Sequence, residues 1–100
     1  PWGTYLTCEE NWAGYFVSKA TPLPREQARY GVPNTNGRYR WEEIAGDAYE
    51  RFNATPVAGA TAAQDYRNEP NGFGWVVEID PFSPRSVPKK RTALGRFAHE

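Results

Sequence analysis

The stretch Phe73-Gly74-Trp75-Val76-Val77-Glu78-Ile79-Asp80-Pro81 decides how this chain is read. Trp75, Val77 and Ile79 alternate with Val76, Glu78 and Asp80, the period-two pattern that sends successive side chains to opposite faces of a strand. Pro81 ends it, because proline has no ladder donor and Asp-Pro starts turns. Downstream, the link from Pro81 to Pro88 carries three prolines and two serines, and Arg91 to Phe97 is expected to form a further strand interrupted by Gly95. Lys89-Lys90-Arg91 reads as a solvated loop or a strand edge, where lysine discourages pairing with another chain.

Upstream, Asn68 to Gly72 is a loop by its residue types, and from Thr21 to about Pro70 the composition shifts to Pro, Ala, Arg and Glu without alternation. Within that part, Pro22 and Pro24 precede a short helix over 25–30 that Gly31 and Pro33 stop. A second helix is expected over 41–52, with Trp41, Ile44, Ala45, Ala48 and Phe52 on one face and Glu42, Glu43, Asp47, Glu50 and Arg51 on the other, and Gly46 as its weak point. At the start of the chain, Gly3 to Thr7 reads as a strand ending at Cys8. Asn11 to Gly14 then reads as a turn and Tyr15-Phe16-Val17 as the returning strand, which makes a hairpin over 3–19.

Strands at 3–19 and 73–98 around a helical and loop excursion at 21–70 predict a mainly β chain. The expectation is one incomplete β-propeller segment over 1–100, with blade strands at both ends and a helical insertion in the middle, since blades tolerate insertions in their loops. An independent α+β domain is the alternative. The chain opens on Pro1 rather than Met and stops at Glu100 within a strand-rich pattern, so the polypeptide is expected to continue on both sides.

Bulk composition narrows the function. Twelve basic and twelve acidic side chains cancel, which argues against a nucleic-acid partner or a charged membrane surface. No stretch approaches the ~18 apolar residues of a membrane span. With 39% hydrophobic and 15% aromatic residues a packed core is expected. One cysteine rules out an internal disulfide, leaving Cys8 as a buried apolar group, a reactive thiol or a metal ligand.

Three places could carry chemistry. Thr7-Cys8-Glu9-Glu10-Asn11 sets a soft thiol beside hard carboxylates at a strand end, donors that suit iron or zinc and calcium respectively. His99-Glu100 follows a strand in the same way, and strand ends converge on one face of a propeller, where Cys8, Glu9 and Glu100 could meet. Glu78 and Asp80 share a strand face, but Glu78 fits the polar member of an alternating strand and Asp80 a turn residue. Phosphate-binding glycine loops, His-Glu-x-x-His helices, Cys-x-x-Cys pairs and serine nucleophile elbows are missing.

Three phrases in order, Trp2-Gly3-Thr4-Tyr5-Leu6-Thr7-Cys8-Glu9-Glu10-Asn11, Phe73 to Pro81, and Lys90-Arg91-Thr92-Ala93-Leu94-Gly95-Arg96-Phe97-Ala98-His99-Glu100, resemble the PhoX alkaline phosphatases. Arg29-Tyr30-Gly31, Tyr39-Arg40-Trp41 and Arg51-Phe52 extend the resemblance through the middle. It implies an internal fragment of a large β-propeller enzyme that holds iron and calcium as cofactors. It further implies hydrolysis of phosphate monoesters in the periplasm or outside the bacterium, after export by the twin-arginine machinery. It also implies metal ligation by Cys8, Glu9 and Glu100, with Glu10, Asn11 and His99 near the site. A fragment alone is then expected to be inactive. Two other readings are a non-catalytic binding propeller using Trp12, Tyr15 and Trp75, and a calcium-dependent propeller esterase or lactonase.

Overall fold

A computed structural model describes residues 3–98. Its sheet has three short antiparallel strands, β1 (Tyr5–Thr7), β2 (Val77–Ile79) and β3 (Lys89–Lys90), in the order β1-β2-β3. The alternating stretch is therefore the central strand, and it draws the two ends of the chain together: Tyr5 faces Ile79, Leu6 faces Glu78 and Thr7 faces Val77, while Val77 and Glu78 face Lys90 and Lys89. β3 is an exposed edge strand, as its lysines suggest.

Two strand expectations are corrected. The hairpin over 3–19 does not form: Trp12–Tyr15 is a 3-10 turn, and β1 pairs across the molecule with β2. Phe16 and Val17 are both buried at 1% exposure, whereas a half-covered strand would bury only alternate residues. Val17 instead joins the excursion through a parallel bridge to Asn53, donating its N–H to the Phe52 carbonyl at 2.9 Å and accepting the Ala54 N–H at 2.7 Å. The strand expected over 91–97 is a 3-10 turn at Thr92–Leu94 followed by a single bridge from Arg96 to Trp75. From Val77 back to Trp75 the central path advances two residues while its partner runs from Lys90 to Arg96, and the turn takes up the surplus.

α1 (Arg25–Tyr30) matches its expectation, with Glu26 in the first turn, Arg29 in the last and Gly31 closing it. The helix expected over 41–52 is broken into a 3-10 turn at Trp41–Glu43 and a single turn, α2 (Asp47–Glu50). Gly46 sits at the break with φ 120°, a conformation no helix accommodates and few side chains adopt. The two pieces still bring Trp41 and Phe52 together, with ring centroids 5.1 Å apart, but Ile44 is left 45% exposed.

The core lies beside the sheet rather than on it. Trp12, Ala13, Phe16 and Val32 are buried together, with Tyr15, Tyr30, Phe52 and Phe73 packed around them. The excursion thus wraps the segment after Cys8. Ser18 donates its N–H to Pro33, Arg38 donates its N–H to Gly14, and the buried Gln27 amide donates to the Arg67 carbonyl at 2.8 Å. No helix among the described residues is long and apolar enough to cross a membrane. The local arrangement fits part of a propeller-type fold, and ring closure is not seen among the described residues.

Candidate functional site

Antiparallel pairing places the Cys-Glu-Glu phrase where β1 leaves β2. Beyond the Thr7–Val77 pair the same register would set Glu9 opposite Trp75. The Glu9 side chain takes over there from the backbone ladder: its Oε2 accepts the N–H of Gly74 at 2.7 Å and of Trp75 at 3.3 Å. Oε1 accepts a hydrogen bond from the Lys90 ammonium at 3.0 Å, and Lys90 also bonds the Gly72 carbonyl and stands 4.5 Å from the centre of the Phe73 ring. One carboxylate thus gathers the exit of β1, the approach to β2 and the edge strand β3.

Gly74 relays this junction to Phe97. Its N–H goes to Glu9, and its carbonyl accepts the Phe97 N–H at 2.9 Å. Trp12 donates its indole N–H to the Phe97 carbonyl at 3.3 Å. Arg96, next in line, donates to the carbonyls of Phe73 (2.8 Å) and Pro70 (2.7 Å) while its guanidinium lies 4.6 Å from the ring centres of both Trp12 and Tyr30. Burial pushes the Arg96 pKa down, with Tyr30 and Glu26 acting in the opposite sense. The segment leading to residue 98 is accordingly seated one glycine away from Glu9.

Cys8 is a free, exposed thiol in this segment. Glu10 and Asn11 are exposed and, with Glu9, border a cavity of about 360 Å³ floored by Trp12, Tyr15, Phe16, Phe52 and Phe73. His99 and Glu100 lie outside the described residues. For iron, Cys8 is a suitable single donor; the carboxylate that would suit calcium, Glu9, already has protein partners on both oxygens. No group of three or more His, Cys, Asp or Glu side chains that could hold a metal ion occurs among the described residues. The residues in hand therefore fit as a contribution to a metal site, not as the whole of one. Trp12, at 3% exposure, belongs to the core and meets that cavity only at its floor.

Glu78 takes the strand role expected of it. It accepts from the Thr4 hydroxyl at 2.9 Å and pairs with Arg91, and these contacts hold its carboxyl below the usual range. Asp80 accepts the Phe82 N–H at 3.0 Å, as an Asp-Pro turn predicts. Sequence reasoning passed over Lys90, Gly74 and Arg96. A glycine inside an alternating strand does signal close backbone approach, but nothing local marks which of three consecutive basic residues meets a carboxylate 81 positions away.

A short antiparallel sheet with an anion-anchored strand exit is a structural class, and comparison with known proteins supplies the biochemical one. A family model described as Alkaline phosphatase PhoX matches residues 1–100. A solved structure, Pseudomonas fluorescens PhoX in complex with vanadate, a transition state analogue, is similar at 46% identity and a TM-score of 0.75. The match covers 100% of this chain and 15% of that one. No curated protein matches the chain. The chain belongs to the PhoX alkaline phosphatase family.

Proposed function

We propose that this chain is the segment of a secreted alkaline phosphatase that delivers the Cys8 thiolate and the Glu100 carboxylate to an iron and calcium site, where phosphate monoesters are hydrolysed. The observation that carries this is the exposed Cys8 thiol at the end of β1, in a family member whose Gly74 joins that strand exit to Phe97. Glu100 lies three residues past Phe97, a reach of about 10 Å in extended chain. The vanadate complex of the solved relative supports phosphoryl-transfer chemistry for the family. The ions, when bound, supply charge neutralisation at the phosphoryl group.

The chain's own residues hold geometry. Cys8 would offer a soft donor for iron and Glu100 a hard oxygen donor, with Glu10, Asn11 and His99 near the site. Export by the twin-arginine machinery and a periplasmic or extracellular location complete the proposal. In the full-length protein, Cys8→Ala is expected to lose bound iron, measured by elemental analysis, together with hydrolysis of p-nitrophenyl phosphate at alkaline pH. A metal-loaded wild-type protein that left this ester intact would end the proposal.

A further inference from the structure

We infer that Glu9 is a positioning residue that aims the Cys8 thiol, and that Lys90 is its partner in this role; the inference rests on the metal reading proposed above. A carboxylate serving a metal ion must turn at least one oxygen toward it. In Glu9, Oε2 is held by two backbone N–H groups and Oε1 by the Lys90 ammonium, so the side chain faces the protein and its charge is compensated there. Lys90 is itself fixed by the Gly72 carbonyl and the Phe73 ring.

The consequence for Cys8 is geometric. Neighbouring side chains of a chain leaving a strand project to opposite sides. With Glu9 anchored inward and half-buried, Cys8 is turned outward and exposed. Since Gly74 also binds Phe97, the same anchor sets the spacing between the Cys8 backbone and Phe97. Supporting groups of this kind, although they never touch a metal, commonly change metal affinity by about ten- to a hundredfold.

The test uses the full-length protein, titrated with ferric iron and followed by thiolate-to-iron charge-transfer absorption, with metal content and the thermal midpoint measured alongside. Lys90→Met and Glu9→Gln each remove the ion pair and leave an oxygen for the Gly74 and Trp75 N–H groups. Both are expected to keep the full metal count and to weaken iron loading by a similar, few-fold factor. Glu9→Ala, which removes the anchor, is expected to weaken loading by about ten- to a hundredfold.

A ligand role predicts something else: Glu9→Gln loses a metal ion outright while Lys90→Met loads like wild type, and that result would overturn the inference. It can be read even if Glu9→Ala fails to fold. A Cys8→Ala protein that retained full iron would instead sink the metal reading itself, an outcome distinct from either behaviour of Glu9.

Discussion

Gly74 meets two constraints at one α-carbon. Its φ is +87°, and a Cβ there would stand 2.7–2.9 Å from three atoms of the Trp12 indole, closer than real contacts allow. Trp12 cannot retreat, being 3% exposed within the core and bonded to Phe97. Gly74→Ala therefore combines backbone strain of roughly 1 kcal/mol or more with overpacking of about 1–3 kcal/mol. The expected outcome is a loss of about 2–4 kcal/mol in the chemical-denaturation free energy of the intact protein, with iron loading weakened in the fraction that folds. A glycine inside the alternating stretch signals close backbone approach, but the sequence reading did not single Gly74 out. The identity of its obstacle was not legible, because Trp12 lies 62 positions away.

Among the elements, the central strand and the edge character of β3 were legible, and the partner of β1 was not. Val77–Ile79 follows from local alternation, but β1 pairs where more surface is hidden even though the loop closed is longer, and no short window of sequence holds both β1 and β2. β1 therefore returns to β2 rather than to Tyr15-Phe16-Val17, whose consecutive apolar residues were drawn into the core. α1 was legible because its start and stop signals are local.

The sheet also carries a pH signature. Hydrogen bonds from Thr4 and Arg91 hold the Glu78 carboxyl below its ordinary value, and those from Arg67 do the same for Asp65. A carboxyl with a lowered folded-state pKa binds fewer protons folded than unfolded. Its stabilisation is complete above the ordinary carboxylate range, near pH 4, and is lost as pH falls through the folded value. The thermal midpoint of the intact protein should decline below about pH 4, and Glu78→Gln should shallow that decline while lowering the midpoint at neutral pH. An unchanged profile in the variant would show that the Thr4–Glu78–Arg91 contacts are not retained in solution.

At the scale of the whole molecule, the chain exposes more than a free-standing domain of its size. Its accessible surface is 7098 Å², against about 5,700 Å² for a folded monomer of this mass, and its radius of gyration is 15.3 Å against about 13 Å. Phe82 is 83% exposed, Val87 74% and Leu94 54%, and Leu6 and Leu94 border one cavity of about 490 Å³ with the edge strand β3 beside it. Expressed alone, the hundred residues are expected to self-associate at micromolar concentration, seen as early elution in size-exclusion chromatography. The double variant Leu6→Glu, Leu94→Glu should shift elution toward the monomer.

By itself, the sequence determined that one strand alternates, that a helix starts after Pro24 and stops at Gly31, that basic and acidic charge balance, and that a thiol stands beside carboxylates. Each of these is a property of residues a few positions apart. Only the tertiary structure decided that β1 and β3 flank that strand, that the excursion builds the core around Trp12 and Phe16, and that Glu9 turns inward to Lys90 while Cys8 turns out. β3 meets β2 across only 11 to 13 positions, but the other outcomes lean on contacts such as Gln27–Arg67, Glu9–Lys90 and Trp12–Phe97, 40 to 85 positions apart. The free energy of such contacts arises only when the chain has closed on itself, and local pattern carries no record of which partner will be there.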